Sequence, residues 1–471
     1  MRDCRLTYLP VVLAGARSRL KPRWLCPLLA VPLIIILAYP GTLSAQQTVA
    51  GTQGGTPIDD MTKAAIIDSL SKALNDIYVF PDVAKQMEKK MRADLRRHVY
   101  RDITTYEEFT ARLTEDLLET SHDRHLRVNY SPEPPAGLVE EDSLTEDAQR
   151  RMVEQFARTN FGFVKLERLA GNVGYLDLRG FHDAAWAGKT AVAAMNFLAN
   201  SDAIIIDLRK NGGGQPSMIQ LISSYFFEEP VHLNSFYIRD EDTMHQFWSH
   251  AHVEGPRMAD TPLYVLTSSN TFSGAEEFTY NMKNLERATI IGETTGGGAH
   301  PVRLVRFADL GISVALPFGR AVNPITGTNW EGTGVEPHIE VAPERALEVA
   351  HLEALTLLAN RAPDEERRRE LEWAIGGAEA LIDPPAPDPD LLKTYAGVYG
   401  PRKIAYQDRV LYYQREGNAR MKMIPMSDNT FMFDEIDFFR VEIGTDEAGS
   451  PTCIIGHYAN GFTDRTPRSA D

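Results

Sequence analysis

The stretch Thr261–Glu277, TPLYVLTSSNTFSGAEE, admits few structures. Pro262–Thr267 is apolar, β-branched and aromatic, the composition of a buried strand. Ser268, Ser269 and Asn270 break the run, and from Ser273 the chain turns helical with Gly274-Ala275-Glu276-Glu277. A strand feeding a helix puts the connecting turn at the helix mouth, where backbone N–H groups have no intrahelical partner. Ser273 then has two readings. Its hydroxyl could be a nucleophile beside N–H donors for an oxyanion, with Gly274 and Ala275 small enough for a substrate backbone to come close. Alternatively, Ser273 and Glu276 spell S-x-x-E, and the serine only caps the helix.

The surrounding pattern is strand and helix in alternation. Strands are expected at Val173–Leu178, Ala203–Leu208 and Ala288–Ile291, and helices at Asp183–Ala199 and Ser217–Phe227. Ala203–Leu208 is almost continuously apolar, as in a sheet covered on both faces. Such alternation implies right-handed crossovers and an α/β core whose ligands bind at the strand ends. A hairpin is expected over Val231–Trp248 and another over Val302–Phe307 and Ile312–Leu316. This core spans 160–342. Before it, 58–131 reads as three amphipathic helices (Met61–Ile77, Val83–His98 and Glu107–Glu119) forming a small bundle. Residues 132–159 are a Pro/Glu-rich connector ending in a helix. Residues 343–381 hold two more helices, 382–390 are a Pro-rich linker, and 391–471 carry short strands at turn spacing, a small β-barrel or sandwich.

Residues 1–45 are basic, then apolar, then small, the order of a secretory signal peptide, with cleavage expected after Ala45; 46–57 reads as a Gly/Thr/Gln linker. An uncleaved membrane segment is the alternative, although the apolar core is short of the ~20 residues of a span. Loss of the leader removes Cys4 and Cys26 and leaves Cys453 alone, so no internal disulfide and no cysteine metal site can form. A large exported chain without disulfides suits a periplasm. The formal net charge of −16 argues against a nucleic-acid partner.

Asp207-Leu208-Arg209-Lys210-Asn211-Gly212-Gly213-Gly214 follows a buried strand and precedes a helix. Its exposed N–H groups could cradle a phosphate or an oxyanion, or the glycines could only make a tight turn. His125, at the start of an alternating stretch through Tyr130, is expected to open a short strand and face away from its apolar side. It reads as a catalytic base or as an ordinary solvated histidine. His122 and His300 are its rivals. His245, His250 and His252 lack the H-E-x-x-H spacing of a metal site.

Taken together, four blocks in order resemble the carboxy-terminal-processing and tricorn-core serine peptidases, the tail-specific protease family, in the branch of the interphotoreceptor retinoid-binding protein. They are Asp123-Arg124-His125-Leu126, the Asp207–Gly214 run, Thr271-Phe272-Ser273-Gly274-Ala275-Glu276-Glu277, and Ile291-Gly292-Glu293-Thr294-Thr295-Gly296. A fifth, Asn329-Trp330-Glu331-Gly332-Thr333-Gly334-Val335-Glu336-Pro337, closes the core. The resemblance covers roughly 58–342 and implies a crotonase-like α/β core. It implies Ser273 as nucleophile, His125 as general base, Glu331 on the acid side, and the N–H groups of Gly213 and Gly274 as oxyanion hole, with Gly214 a rival to Gly213. Acyl transfer by hydroxyl and imidazole needs no cofactor and no metal. The implied substrate is a peptide or unfolded protein, with the membrane touched only through an uncleaved leader. Gly298 stands where relatives of the Ser/Lys type carry a lysine, and Arg124 stands where the tricorn type has a second serine; Ser121 does not match that place. No PDZ-like segment separates the histidine block from the core. The alternative reading is a non-catalytic ligand- or peptide-binding protein on the same fold.

Overall fold

The computed structural model describes residues 55–132 and 146–469. The leader at 1–45, most of the 46–57 linker and most of the 132–144 connector lie outside the described residues.

Three helices come first: α1 (Asp60–Ile77), α2 (Pro81–Arg96) and α3 (Tyr106–Ser121). The local chemistry sets their ends. Asp59 caps α1 by accepting from Thr62 N–H, Pro81 opens α2, and Thr105 caps α3 by accepting from Glu108 N–H. His122 ends α3 in the left-handed conformation (φ 56°) and is exposed. Strand β1 (Arg127–Tyr130) follows, and α4 (Glu146–Arg158) lies beyond the undescribed segment. His125 does not open the strand as expected. It sits in the turn ahead of β1, buried, because the Asp123 side chain accepts its backbone N–H at 3.1 Å and curls the chain inward.

The core runs β2 (Phe163–Leu169), β3 (Val173–Leu178), α5 (Ala184–Leu198), β4 (Ala203–Asp207), α6 (Pro216–Ser223), β5 (His232–Ile238), β6 (Thr243–Trp248), β7 (Leu263–Thr267), α7 (Gly274–Asn284), β8 (Thr289–Gly292), β9 (Val302–Phe307), β10 (Ile312–Pro317), β11 (Gly319–Val322) and β12 (Ile339–Glu340). Its main sheet has the order β12-β8-β7-β4-β3-β2, parallel except for β2 against β3. Side chains alternate across it as strand geometry requires. Ile204, Ile206, Leu263 and Val265 join α5, α6 and α7 in one core cluster. Ala203, Ile205, Tyr264 and Leu266 join α8 (Ala346–Asn360) and α9 (Glu365–Ile382) in another. Burial on both faces explains the unbroken apolar runs, each such side chain contributing about 1.5–3 kcal/mol.

The helical segment is not a bundle complete in itself. Hairpin β9–β10 pairs antiparallel with β1, and Ile312, Val314 and Leu316 share one core with α1, α2 and α3. A second small sheet, β11-β5-β6, carries the expected hairpin. At the C-terminal end α10 (Pro389–Tyr395) starts inside the segment expected to be linker, with Asp388 as its cap. Two antiparallel sheets of four and five strands then enclose a common core of Tyr399, Ile404, Tyr413, Phe431, Val441 and Ile454, among others. Strands Arg402–Gln407 and Thr463–Pro467 had no clear signature in the sequence.

Candidate active site

Ser273 is the residue immediately before α7, with φ 53° and ψ −122°. Few non-glycine residues take such a conformation, which is held only where the surroundings over-determine it. They do so here. Phe272 N–H donates to Asn211 O at 3.1 Å, and Thr271 Oγ1 donates to Leu208 O at 2.8 Å, sewing the turn after β7 to the turn after β4. Ser273 N–H donates to the Glu276 carboxylate at 2.8 Å, the expected half of a capping box. The same carboxylate accepts from Thr295 Oγ1 at 2.5 Å, Gly297 N–H at 2.6 Å and Gly298 N–H at 2.8 Å. Glu276 is fully buried, and burial pushes its carboxyl up to about 7 although these donors pull the other way.

Glycines line the serine. A Cβ on Gly213 (φ 107°) would stand 2.7 Å from Gly274 N and 2.9 Å from Ser273 Cβ, so only glycine fits. The Gly213 N–H, however, is engaged: it donates to Asn211 Oδ1 at 2.9 Å. No hydrogen bond to a described residue engages the N–H of Gly214 or of Gly274. A Cβ on Gly274 would lie 2.9 Å from Gly214 N. The rival Gly214, rather than Gly213, thus shares a free donor site with Gly274. The reason is an Asn side chain turning back on its own loop, a local bond that competes for the donor.

The histidine side is built from side chains. His125 is 6% exposed, and neither ring nitrogen has a hydrogen-bond partner among the described residues. Burial brings it down to about 4, opposed by the Asp123 charge and reinforced by His300 and Arg127, so the ring is neutral near pH 7. Phe272 packs on it with ring centroids 4.7 Å apart. His300 Nδ1 lies 2.7 Å from Asp123 Oδ2 and 3.6 Å from Glu331 Oε2. Tyr78 OH donates to the same Asp123 oxygen at 3.2 Å. Burial alone would raise Asp123 and lower His300; their mutual hydrogen bond and charge reverse both, favouring the ionised form of each. Burial raises Glu331, with the His300 charge opposing. Glu331 Oε2 accepts from Ala299 N–H at 2.6 Å, and its Oε1 is buried without a partner.

All five sequence blocks meet in one knot. Arg124 Nη1 donates to Gly296 O at 2.5 Å, Trp330 Nε1 to Gly298 O at 2.7 Å, and Gly332 N–H to Gly297 O at 3.0 Å. Arg124 therefore ties the histidine block to the glycine loop in the place where a second serine was sought. Gly298 has no room for a side chain: a Cβ would stand 2.3 Å from Phe272 Cζ and 2.6 Å from His125 Cε1. A lysine at this position is excluded by contact. His122 points to solvent, and His245 pairs with Glu241 on the surface at 2.7 Å. No hydrogen bond among the described residues joins Ser273 to His125. The sequence reading passed over Asp123 and Tyr78 as site residues and saw in Glu276 only a helix cap. Asp123, two residues before His125, lay inside a quoted block and was the available signal.

Residues 172–341 match the description "Peptidase family S41", and residues 61–160 match "N-terminal domain of Peptidase S41 in eukaryotic IRBP". Solved structures with similarity include the photosystem II D1 C-terminal processing protease (15% identity, 60% of this chain and 94% of that one, TM-score 0.37). A lipoprotein from Streptococcus agalactiae has 14% identity over 66% of this chain and 99% of its own, TM-score 0.40. A protein from Parabacteroides merdae, provisionally assigned as a peptidase, has 18% identity over 60% and 90%, TM-score 0.43. The chain thus carries a peptidase family S41 domain and an S41 N-terminal domain, which supports a serine-type peptidase in general terms.

Proposed function

We propose that the chain is a serine endopeptidase cleaving peptides or unfolded proteins through a Ser273 acyl-enzyme. The observation that carries this reading is Ser273 held at φ 53° beside the unengaged N–H groups of Gly214 and Gly274. Two such donors are what a tetrahedral oxyanion needs, and fixed donors cost no reorganisation when charge develops. His125, neutral near pH 7, takes the serine proton as the hydroxyl attacks the scissile carbonyl and returns it to the leaving amine. Its low basicity is offset as the anionic intermediate forms, because a nearby negative charge favours imidazolium. Glu331, through its free Oε1, orients the ring. The Ser273–His125 hydrogen bond forms when substrate enters, since such bonds often tighten only in the complex. No cofactor takes part. Export to a periplasm follows from the basic-apolar-small leader at 1–45; no described helix is long and apolar enough to cross a membrane.

Labelling with a fluorophosphonate probe tests the reading. The adduct is expected on Ser273 and is lost in His125→Ala. A second reading, a binding protein on the same fold, is favoured by the partnerless His125 nitrogens. An unlabelled, well-folded chain that hydrolyses no member of a broad peptide library yet binds a peptide saturably would establish it.

A further inference from the structure

Unused ligand atoms gather on the histidine side. Both His125 ring nitrogens and Glu331 Oε1 are buried without hydrogen-bond partners among the described residues. One ligand atom from each of Asp123, His125 and Glu331 lies within 4.8 Å of the other two. We propose that these three side chains form a binding site for a divalent transition cation, zinc above all, whose occupation blocks the Ser–His chemistry.

Buried polar atoms without partners are costly, and a cation would satisfy Glu331 Oε1 and one His125 nitrogen together. The donor set is one imidazole and two carboxylates. Mixed nitrogen and oxygen donors suit zinc or cobalt, whereas calcium and magnesium take oxygen sets. Three protein ligands and one open position for water make a common zinc arrangement. Each carboxylate is already anchored by one oxygen. Asp123 Oδ2 holds the Tyr78 hydroxyl and His300, leaving Oδ1 with only the His125 backbone N–H. Glu331 Oε2 holds Ala299 N–H, leaving Oε1. Outer partners of this kind fix ligand orientation. Zinc at about 2.0–2.2 Å from its ligands sets them roughly 3.3 Å apart, so the trio must draw in by side-chain rotation. The Glu331 side chain, 14% exposed, marks the side from which an ion enters.

The block itself rests on the proposed function: a cation on the His125 nitrogen occupies the lone pair that would accept the Ser273 proton. No bond is made or broken beyond exchange of coordinated water. The cation is thus a reversible inhibitor, distinct from the cofactor-free reaction.

The test titrates Zn²⁺, and Co²⁺ for its visible absorption, into the chelator-treated full chain and into its Ser273→Ala variant. One equivalent is expected in both. Affinity should fall at least about 10-fold in Glu331→Gln and in His125→Asn. His245→Asn should change nothing. Absence of saturable uptake by the unmodified chain, or uptake that survives both ligand substitutions, overturns the site. In parallel, zinc should suppress fluorophosphonate labelling in step with occupancy, and chelator should restore it. Metal uptake in a chain never labelled sinks the serine reading and leaves the site standing. A labelled chain that takes up no metal does the reverse. Uptake at these ligands with labelling unchanged overturns the block.

Discussion

The serine side and the histidine side of this site are made differently. Around Ser273 nearly every polar group is spent: one buried carboxylate collects four donors, and two strand-end turns are bonded to each other. What remains free there is backbone, the N–H groups of Gly214 and Gly274. Around His125 the free atoms belong to side chains, and four titratable groups, Asp123, His125, His300 and Glu331, crowd one buried space. The first is a rigid fixture for developing negative charge. The second is a polar network only partly satisfied, which is costly in a low-dielectric interior and prone to respond when a proton, substrate or ion arrives. Rigid donors and a responsive base divide the labour of acyl transfer.

Breaking the rigid side at its reacting atom should have the largest effect. Ser273→Ala is expected to lower kcat/KM by about 10⁴-fold or more, with stability changed by only ~1 kcal/mol through the lost cap. Peptide hydrolysis and thermal unfolding measured on one preparation separate the two. Next comes a matched pair of isosteres. Glu276→Gln turns an amide N–H₂ toward donors and should cost about 2–4 kcal/mol of stability. Glu331→Gln removes no bond from Oε1 and should cost under about 1 kcal/mol while still slowing hydrolysis. Equal losses in urea unfolding would erase the contrast.

Within α7 the neighbouring acid sharpens the point. Glu277 is fully buried, and burial pushes it up to about 8 against the opposing influence of the nearby Asn234 amide. The folded chain therefore holds a proton that the unfolded chain releases near 4.5. That contribution is complete below about pH 4.5 and is lost as pH rises toward 8. The stability difference between the unmodified chain and Glu277→Gln should shift against the former by on the order of 5 kcal/mol across this window. A difference flat with pH in calorimetry would refute it. A further effect is steric. Gly298→Ala forces Phe272 and His125 aside and should cost about 1–2 kcal/mol, with hydrolysis falling alongside.

The regions differ in legibility too. The serine side could be read locally: an apolar run covered on both faces, a break, a small-residue helix start. The sequence left Gly213 and Gly214 as rival donors; the Asn211 side chain takes the Gly213 N–H, a bond visible only once the loop is folded. The histidine side is assembled from distant chain. Asp123 and His300 are 177 positions apart, and the strands that seat β1 come from 302–317. Alternation around His125 suggested a solvated strand face, whereas the Asp123 side chain folds the turn inward. The Asp123 turn is a local bond two residues long, whereas the His300 contact and the seating of β1 depend on long-range pairing that no local pattern encodes.

That pairing has a temporal side. The turn bearing His125 rests on a sheet whose other two strands lie downstream of Ser273, and the core over α1–α3 is closed by Ile312, Val314 and Leu316. A growing chain that stops short of residue 302 carries the serine and the histidine but lacks the strands on which β1 is seated. Under the proposed reading, cutting power waits for residues 302–317, by which point most strands of the main sheet have been made.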